Sequence, residues 1–434
     1  MDKRPEIFRQ PDYKRSRWAY TFECAFEYFV SLLVTGVFLA KLLKDVGMDD
    51  ALIGIISSFI SLSFLFQLFS VFVGQRIGNT KRFVTLFHTL SQVFFMCLYL
   101  IPFLPFEYKF KEIIAIICIL AAYFGNYFVT SMIYQWGNSH VYPHHRAQFS
   151  ATKEMISLAL GIVVTLVVGY VMDAFEADGN LRGGFIFAAV SIFIFSVCDF
   201  VCLMLIKNRI KTPEERAERA PLKEVFKNVL GNRNYFTVIV LQILWSVSIY
   251  TTTGFLGTYA INKSELAFSV GAVQVIALVG NAGRFFVSRP FGKFSDKYSY
   301  AKGIELGLII AALSFAVNIF TTPATRYLYV VYILLHSVCY AGISQNLYNI
   351  TYNFVDSRYI AEAMAIKNCI GGICGFGASL LSSRLLSHIQ ENGNTFFGID
   401  LYGQQVLSAI SFVILVIAML FTRFVIEKQR TMVQ

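Results

Sequence analysis

Residues 183–206 read GGFIFAAVSIFIFSVCDFVCLMLI, and Asp199 carries the one charge in this stretch. At the helical rise of about 1.5 Å per residue, a stretch of this length matches the roughly 30 Å hydrocarbon core of a bilayer. Eleven more apolar stretches of similar length fill the chain, so the sequence predicts an all-α polytopic membrane protein with 12 transmembrane helices. The predicted spans are 18–44, 51–75, 82–104, 113–137, 152–175, 183–206, 234–260, 268–292, 300–320, 328–354, 360–388 and 401–426.

The composition supports a membrane location. Hydrophobic residues make up 56% of the 434 residues and charged residues 15%, whereas soluble domains have about 45–50% and about 25%. Of the 37 Lys and Arg residues, 28 fall in the termini and the loops on one side, eight fall on the other, and Arg284 lies within a span. This asymmetry predicts a multi-pass protein of the cytoplasmic (plasma) membrane with both termini in the cytoplasm. The net charge of +10 is therefore not a signal for nucleic acid, and the lipid bilayer is the expected surrounding.

One long polar segment divides the spans into six and six. Residues 207–233 alternate charges with a helical apolar stripe, which is typical of a basic linker lying near the cytoplasmic membrane surface. The sequence predicts an N-terminal six-helix bundle over 1–206, this linker, and a C-terminal six-helix bundle over 234–434.

The two halves carry similar basic turns. Gly292, Asp296 and Lys297 follow the eighth span, and their first-half counterparts after the second span include Arg76, Gly78, Lys81 and Arg82. Basic residues also follow the fourth and tenth spans, at Arg146 and Lys153 and at Arg358 and Lys367. Equivalent turns at equivalent places predict two pseudo-repeated six-helix units, as in secondary transporters.

This pattern resembles the major facilitator superfamily over essentially the whole chain. The resemblance implies two six-helix bundles, a protein that works as a monomer, and a cytoplasmic latch formed by the loop motif. The first-half motif departs from the family pattern, because Val71 replaces its Gly and Gln75 its Asp. Two drug/proton antiporter features are absent: the fifth span has no proline, and the fourth has no arginine.

The first span carries the strongest candidates for proton coupling. Glu23 and Glu27 stand four residues apart and share one face of a helix. Two close carboxylates in an apolar setting favour proton binding, and a charge in hydrocarbon costs on the order of 2.5–3.5 kcal/mol. The sequence predicts Glu27 as the proton carrier and Glu23 as its modulator. The alternative is that both pair with basic residues at a helix contact or are hydrated near the membrane interface.

Polar and aromatic residues in four other spans are candidates for substrate binding. Arg284 either holds an anionic group bidentately or acts as a structural cation. Amide and aromatic side chains either line a cavity for a hydroxyl-rich solute or make contacts between helices. The predicted substrate-binding residues are Asn126, Gln242, Trp245, Asn281, Arg284, Gln345 and Asn349.

The remaining ionisable residues within spans receive weaker assignments. His336 titrates in the neutral range when unperturbed and is the third candidate for proton coupling, although a lone histidine is usually a core residue. Asp199 is predicted to be structural, because the sixth helix is peripheral in the resembled fold. Glu362 and Lys367 are either cytoplasmic gate residues or interfacial charges. His140 is predicted to lie in a solvated turn, and the sequence indicates no metal site and no cofactor.

These observations predict secondary active transport of a small polar solute by alternating access, with protons as the co-transported ion. A sugar-like, nucleoside-like or organic-acid-like substrate fits. The alternatives are efflux of a metabolite or drug, a transporter-like receptor, and a membrane enzyme. No enzymatic activity is expected, because no nucleophile or metal cluster is visible, and the chain has no P-loop for a nucleotide.

Overall fold

The computed structural model describes residues 6–73, 80–141, 146–208, 222–355, 359–396 and 398–429. Almost all of these residues are helical. The helices of the N-terminal half are α1 (Glu6–Arg9), α2 (Pro11–Leu33), α3 (Gly36–Val46), α4 (Asp50–Ser57), α5 (Phe59–Val73), α6 (Thr80–Leu98), α7 (Tyr108–Asn138), α8 (Arg146–Ala177) and α9 (Leu181–Leu205).

The C-terminal half continues the same pattern. Its helices are α10 (Leu222–Leu230), α11 (Arg233–Thr252), α12 (Leu256–Ile261), α13 (Val270–Lys297), α14 (Tyr300–Ile319), α15 (Leu328–Phe354), α16 (Ile360–Glu391) and α17 (Gly403–Phe421). A π-helical turn, Thr422–Ile426, follows α17. A two-stranded antiparallel hairpin, β1 (Thr395–Phe396) with β2 (Ile399–Asp400), joins α16 to α17.

Polar caps fix where several helices begin. The side chains of Asp49, Asn180, Ser269 and Ser299 each accept a hydrogen bond from a backbone N–H in the first turn of α4, α9, α13 and α14, respectively. Such caps satisfy N–H groups that have no partner within the helix. The short polar segments between apolar stretches therefore set the boundaries of the helices.

Ten helical segments are long and apolar enough to cross a membrane in the part of the chain that the structure describes. An eleventh results if α2 and α3 count as one span, bent by 45° at a break. The break contains Gly36, whose φ of +56° suits glycine. The predicted third span, 82–104, corresponds to α6, which is not among these segments. A fold of many membrane-spanning helices is thus confirmed, but the number twelve is not.

The faces of α9 show how the helices sort their side chains. Its buried residues recur every three to four positions and include Ala188, Ile192, Asp199 and Leu203. Its opposite face exposes large apolar side chains, including Phe193. An exposed apolar face suits lipid, while the inner face packs against α2 and α6. Asp199 therefore points into the protein.

The chain divides into two compact units. The first comprises Met1–Met48 and Phe69–Arg219, and the second comprises Asp49–Leu68 and Ala220–Gln434. The sequence predicted that all of the second span, 51–75, belongs to the first bundle. In the structure, α4 and the start of α5 fall in the second unit. There α4 packs against α16. Of the predicted linker, residues 209–221 lie outside the described residues.

Candidate functional site

Helix α2 carries both predicted acidic residues, and its neighbours bury them to different degrees. α2 packs against α8 and α9, and α6 packs against α7 and α9. The Glu23 side chain is completely buried, with 0% exposure. Glu27, one turn further along, is half-buried. The two carboxylates of one helix face therefore have different environments.

Glu23 lies in a buried group that includes two residues far away in sequence. Glu23 on α2, His88 on α6 and Asp199 on α9 bring their carboxylate oxygens and ring nitrogens within 4.8 Å of one another. His88 Nε2 lies 2.9 Å from Asp199 Oδ2. The exposed fractions of His88 and Asp199 are 0% and 1%. We call these three residues the acidic trio.

Each member of the acidic trio has a polar atom that makes no hydrogen bond with a described residue. Glu23 Oε1, Asp199 Oδ1 and His88 Nδ1 are buried and make no hydrogen bond with any described residue. If the imidazole is protonated and both carboxylates are ionised, the trio carries one net negative charge. Burying an uncompensated charge is costly, so the trio favours binding one more proton or a cation.

The same three side chains are spaced closely enough to hold a metal ion, although the sequence suggested no metal site. Imidazole and carboxylate are both common metal ligands. However, His88 and Asp199 already form a close ion pair. The donor atoms of the trio can thus bind either a proton or a cation.

Glu27 contacts the fourth predicted span. The side-chain amide of Asn126 on α7 donates to Glu27 Oε1 at 3.2 Å. The carbonyl oxygen of the Asn126 side chain is buried without a partner among the described residues. Two residues that the sequence assigned to different tasks, proton coupling and substrate binding, are thus direct neighbours.

A lysine brings positive charge close to the acidic trio. Lys153 on α8 donates to the hydroxyl of Tyr20 at 3.2 Å and to the thiol sulfur of Cys24 at 3.1 Å. Its ammonium lies 4.4 Å from the centre of the Tyr20 ring and 5.0 Å from that of Tyr134. Cys24 in turn lies 3.2 Å from Glu23 Oε2. Lys153 is therefore a half-buried part of this region.

The second unit has its own cluster, centred on Tyr340 of α15. The ring of Trp245 on α11 meets Tyr340 edge-to-face at 5.5 Å, and the ring of His336 does so at 5.3 Å. The guanidinium of Arg284 on α13 lies 5.9 Å from the centre of the same ring. Three predicted site residues from three helices are thus brought together. Tyr340 was not among the predicted substrate-binding residues.

The environment of His336 is aromatic. Its ring stacks on Tyr332 at 5.2 Å and meets Phe315 edge-to-face at 5.5 Å. Its Nδ1 has no hydrogen-bond partner among the described residues. These contacts are those of a packed core histidine, and its role in proton coupling stays a prediction.

The predicted amide residues of the second unit are spread over three helices. Gln242 donates to Ser246 Oγ at 3.1 Å on α11. Asn281 and Asn349 are half-buried. The side chain of Gln345 lies outside the described residues.

The predicted motif and gate residues are only partly described. Arg76, Gly78 and the side chain of Asp296 lie outside the described residues. Arg82, Gly292 and Lys297 are exposed, and Lys297 lies over the Tyr298 ring at 5.2 Å. Glu362 and Lys367 are 6% and 3% exposed, and Lys367 Nζ donates to the Leu347 carbonyl at 2.7 Å. These last two are therefore buried rather than solvated interfacial charges.

Sequence reasoning missed His88 and undervalued Asp199. His88 stands in the apolar run FVTLFHTLSQVFF, where an ionisable residue is a functional candidate by default. That signal was present, but the partners of His88 lie on other helices. His140 was also misjudged: it is 1% exposed and packs against the Tyr13 ring at 5.4 Å.

The sequence model of the Major Facilitator Superfamily matches residues 22–379. The chain belongs to this family. Among curated proteins, no sequence matches the chain. As a member of the Major Facilitator Superfamily, the chain is a multi-pass membrane transporter.

Solved structures of Major Facilitator Superfamily transporters share this fold. The nucleoside transporter NupG is 14% identical, with a TM-score of 0.68, and the match covers 97% of this chain and all of that one. A bacterial homolog of the human lysosomal transporter Spinster, inward-facing and unoccupied, is 15% identical, with a TM-score of 0.71 and coverage of 95% and 96%. A POT family transporter in complex with 5-aminolevulinic acid is 14% identical, with a TM-score of 0.66 and coverage of 95% and 96%. At these identities the likeness establishes the fold alone.

Proposed function

We propose that this transporter imports a small polar solute across the cytoplasmic membrane by alternating access, in symport with protons. Glu27 carries the transported proton, and the acidic trio next to it modulates how readily that proton binds. The protein works as a monomer, with both termini in the cytoplasm and no enzymatic activity. One similar solved structure is a nucleoside transporter and another is a transporter in complex with 5-aminolevulinic acid, which supports a small polar solute.

The observation that carries the proposal is the contrast between Glu23 and Glu27. Glu23 is fully buried with His88 and Asp199, so its surroundings are fixed by three packed helices. Glu27 is half-buried and bound to Asn126, so a proton can reach it more easily. Transport needs such a group, because the proton must be both bound and released.

The amide of Asn126 offers a route for coupling. It donates to Glu27 when that carboxylate is ionised, and protonation of Glu27 weakens this hydrogen bond, since a charged acceptor binds more strongly. The released amide is then free to bind the solute. Proton binding and solute binding would thus favour each other.

The test is uptake into proteoliposomes of the purified protein with an imposed inside-alkaline pH gradient. Pools of sugars, nucleosides and organic acids are compared for the unmodified protein, Glu27→Gln and the control Glu107→Gln, which changes an exposed loop carboxylate. We expect gradient-driven accumulation of one pool, at least tenfold lower in Glu27→Gln and unchanged in Glu107→Gln. Exchange at equal pH should survive in Glu27→Gln.

Two results would contradict the proposal. Accumulation that Glu27→Gln leaves intact would make Glu27 a structural residue. Transport driven only by a gradient of the opposite direction would indicate export in exchange for protons instead of import with them.

A further inference from the structure

Arg284 is a charged residue in the middle of an apolar helix. It lies 14 residues after the first residue of α13 and 13 before its last, which is about 20 Å from either end at the helical rise. Arg284 lies within the segment Val270–Ser295, which is long and apolar enough to cross a membrane. A cation at such a depth costs on the order of 2.5–3.5 kcal/mol or more unless it is compensated.

The protein does not supply an acidic partner for this cation within the described residues. The ion pairs of the second unit join Lys302 to Glu427 and Arg423 to Glu305. The guanidinium carbon of Arg284 lies 5.9 Å from the centre of the Tyr340 ring. A cation–π contact of this kind is worth about 0.5–2 kcal/mol, which does not replace a counter-ion.

Aromatic rings adjoin the guanidinium on one side. Trp245, Tyr340 and His336 form a continuous set of edge-to-face contacts from α11 to α15. Asn281 lies three residues before Arg284 on the same face of α13 and is half-buried. A half-buried guanidinium without an acidic partner among the described residues, a nearby amide and the Tyr340 ring suit a planar anion, because arginine binds carboxylates bidentately.

We propose that the transported solute is an organic anion with a carboxylate group attached to an aromatic ring, and that Arg284 binds the carboxylate while Trp245 and Tyr340 contact the ring. This inference rests on the proposed proton symport and narrows its substrate class. Of the three classes that the sequence left open, it selects the organic acids. It also assigns Tyr340 a role in substrate binding.

The proposal has an electrical consequence. One monovalent anion that crosses with one proton moves no net charge, so its accumulation depends on the pH gradient and not on the membrane potential. A neutral solute that crosses with one proton moves one positive charge. An inside-negative potential of 100 mV would then contribute about 2.3 kcal/mol to its accumulation.

The first test is direct binding to the full-length purified protein in detergent. Thermal shift and tryptophan fluorescence are measured with a panel of aromatic carboxylates and with the carboxamide of each as the neutral match. We expect at least one carboxylate to stabilise the protein and quench its fluorescence, and its carboxamide to bind at least tenfold more weakly. Arg284→Gln should abolish carboxylate binding, Arg284→Lys should weaken it about tenfold, and the exposed control Arg289→Gln should leave it unchanged.

The size-exclusion profile and the melting temperature of each variant without ligand separate folding defects from binding defects. Tyr340→Phe is included as a further variant and is measured in the same way. Equal binding of carboxylates and carboxamides would overturn the proposal, as would unchanged binding in a folded Arg284→Gln variant. Absence of binding across the whole panel would overturn it as well.

The second test measures uptake of the bound carboxylate in proteoliposomes, with the pH gradient and a potassium diffusion potential imposed separately. Accumulation driven by the pH gradient and insensitive to the potential supports the inference. Accumulation that the potential increases would overturn it but leave proton symport standing. Absence of any response to the pH gradient would instead overturn the proposed symport, while Arg284-dependent binding would still establish the substrate class.

Discussion

His88 Nε2 and Asp199 Oδ2 lie 2.9 Å apart, between two helices of the first unit, and both side chains are almost fully buried. Such a pair is stable only while both partners are present, because the loss of one leaves an uncompensated buried charge. Glu23 completes the group from α2. The pair therefore holds α6 and α9 together next to the helix that carries Glu27, the proposed proton carrier.

The first prediction concerns this pair. His88→Gln and Asp199→Asn should each destabilise the protein by about 3–5 kcal/mol, the usual cost of breaking a buried ion pair. The double variant should lose less stability than the two single variants lose together, since it leaves neither charge without its partner. Thermal unfolding in detergent checks this, with the exposed His388→Gln as control. Additive losses would show that the two side chains do not interact.

The second prediction concerns Tyr20, which binds Lys153 both through its hydroxyl and through its ring. Tyr20→Phe should lose the hydrogen bond alone, about 1–3 kcal/mol for a charged donor. Tyr20→Leu should lose a further 0.5–2 kcal/mol or so, because the cation–π contact disappears too. Melting temperatures of the two variants give the comparison. If they are equally stable, the ring does not bind the ammonium.

The third prediction concerns the glycines of α16. A Cβ added at Gly372 would overlap the carbonyl oxygen of Ser61 on α5, whereas one added at Gly377 would meet nothing within 4 Å. Gly372→Ala should therefore destabilise the protein by about 1–3 kcal/mol through overpacking. Gly377→Ala should be neutral or slightly stabilising, since alanine favours helix. Thermal unfolding of both variants measures the difference, and equal stability would contradict the close contact.

The fourth prediction concerns pH. His140 lies beyond the end of α7, and burial lowers the pKa of its imidazole below the ordinary value of 6.5. Above about pH 6.5 the imidazole is neutral in both the folded and unfolded states, so stability does not depend on it. As the pH falls below that value, the unfolded state binds a proton that the folded state does not, and stability falls.

The measurement is the melting temperature between pH 7.5 and pH 5.5. The acid-induced decrease in melting temperature is measured for each variant from its own value at pH 7.5. His140→Gln should remove part of this decrease. A decrease of the same size in the variant would show that other groups cause it. The exposed His388 provides the matched control, because its substitution should leave the acid-induced decrease unchanged.

The sequence placed Glu23 and Glu27 on one face of a helix but did not predict the group around them. The spacing of Glu23 and Glu27 puts both on one face of α2, because a helix turns once in about 3.6 residues. The spacing within one helix says nothing about which residues of other helices lie opposite. For that reason His88 was missed and Asp199 was assigned a structural role only.

In the second unit, too, features of a single helix could be predicted, whereas contacts between helices could not. Gly371 and Gly375 stand four residues apart in the sequence, the spacing of small residues that permit close helix packing, and a Cβ at either would come within 2.7 Å of α11 side chains. The partners of Arg284 were not predictable, because they lie on α15. The choice between a structural cation and a substrate-binding cation depends on whether an acidic residue lies opposite.

The amino-acid sequence by itself determined the membrane location, the helical architecture and the positions of most spans, because hydrophobicity and helix length are local properties of the chain. Tertiary structure alone decided that Glu23, His88 and Asp199 meet, that Asn126 binds Glu27, and that Arg284 lies beside Tyr340 with no acidic partner in the described part of the chain. These arrangements depend on how helices rotate and pack against each other. In a bilayer this is set by side-chain packing and interhelical hydrogen bonds, which act between residues far apart in the chain.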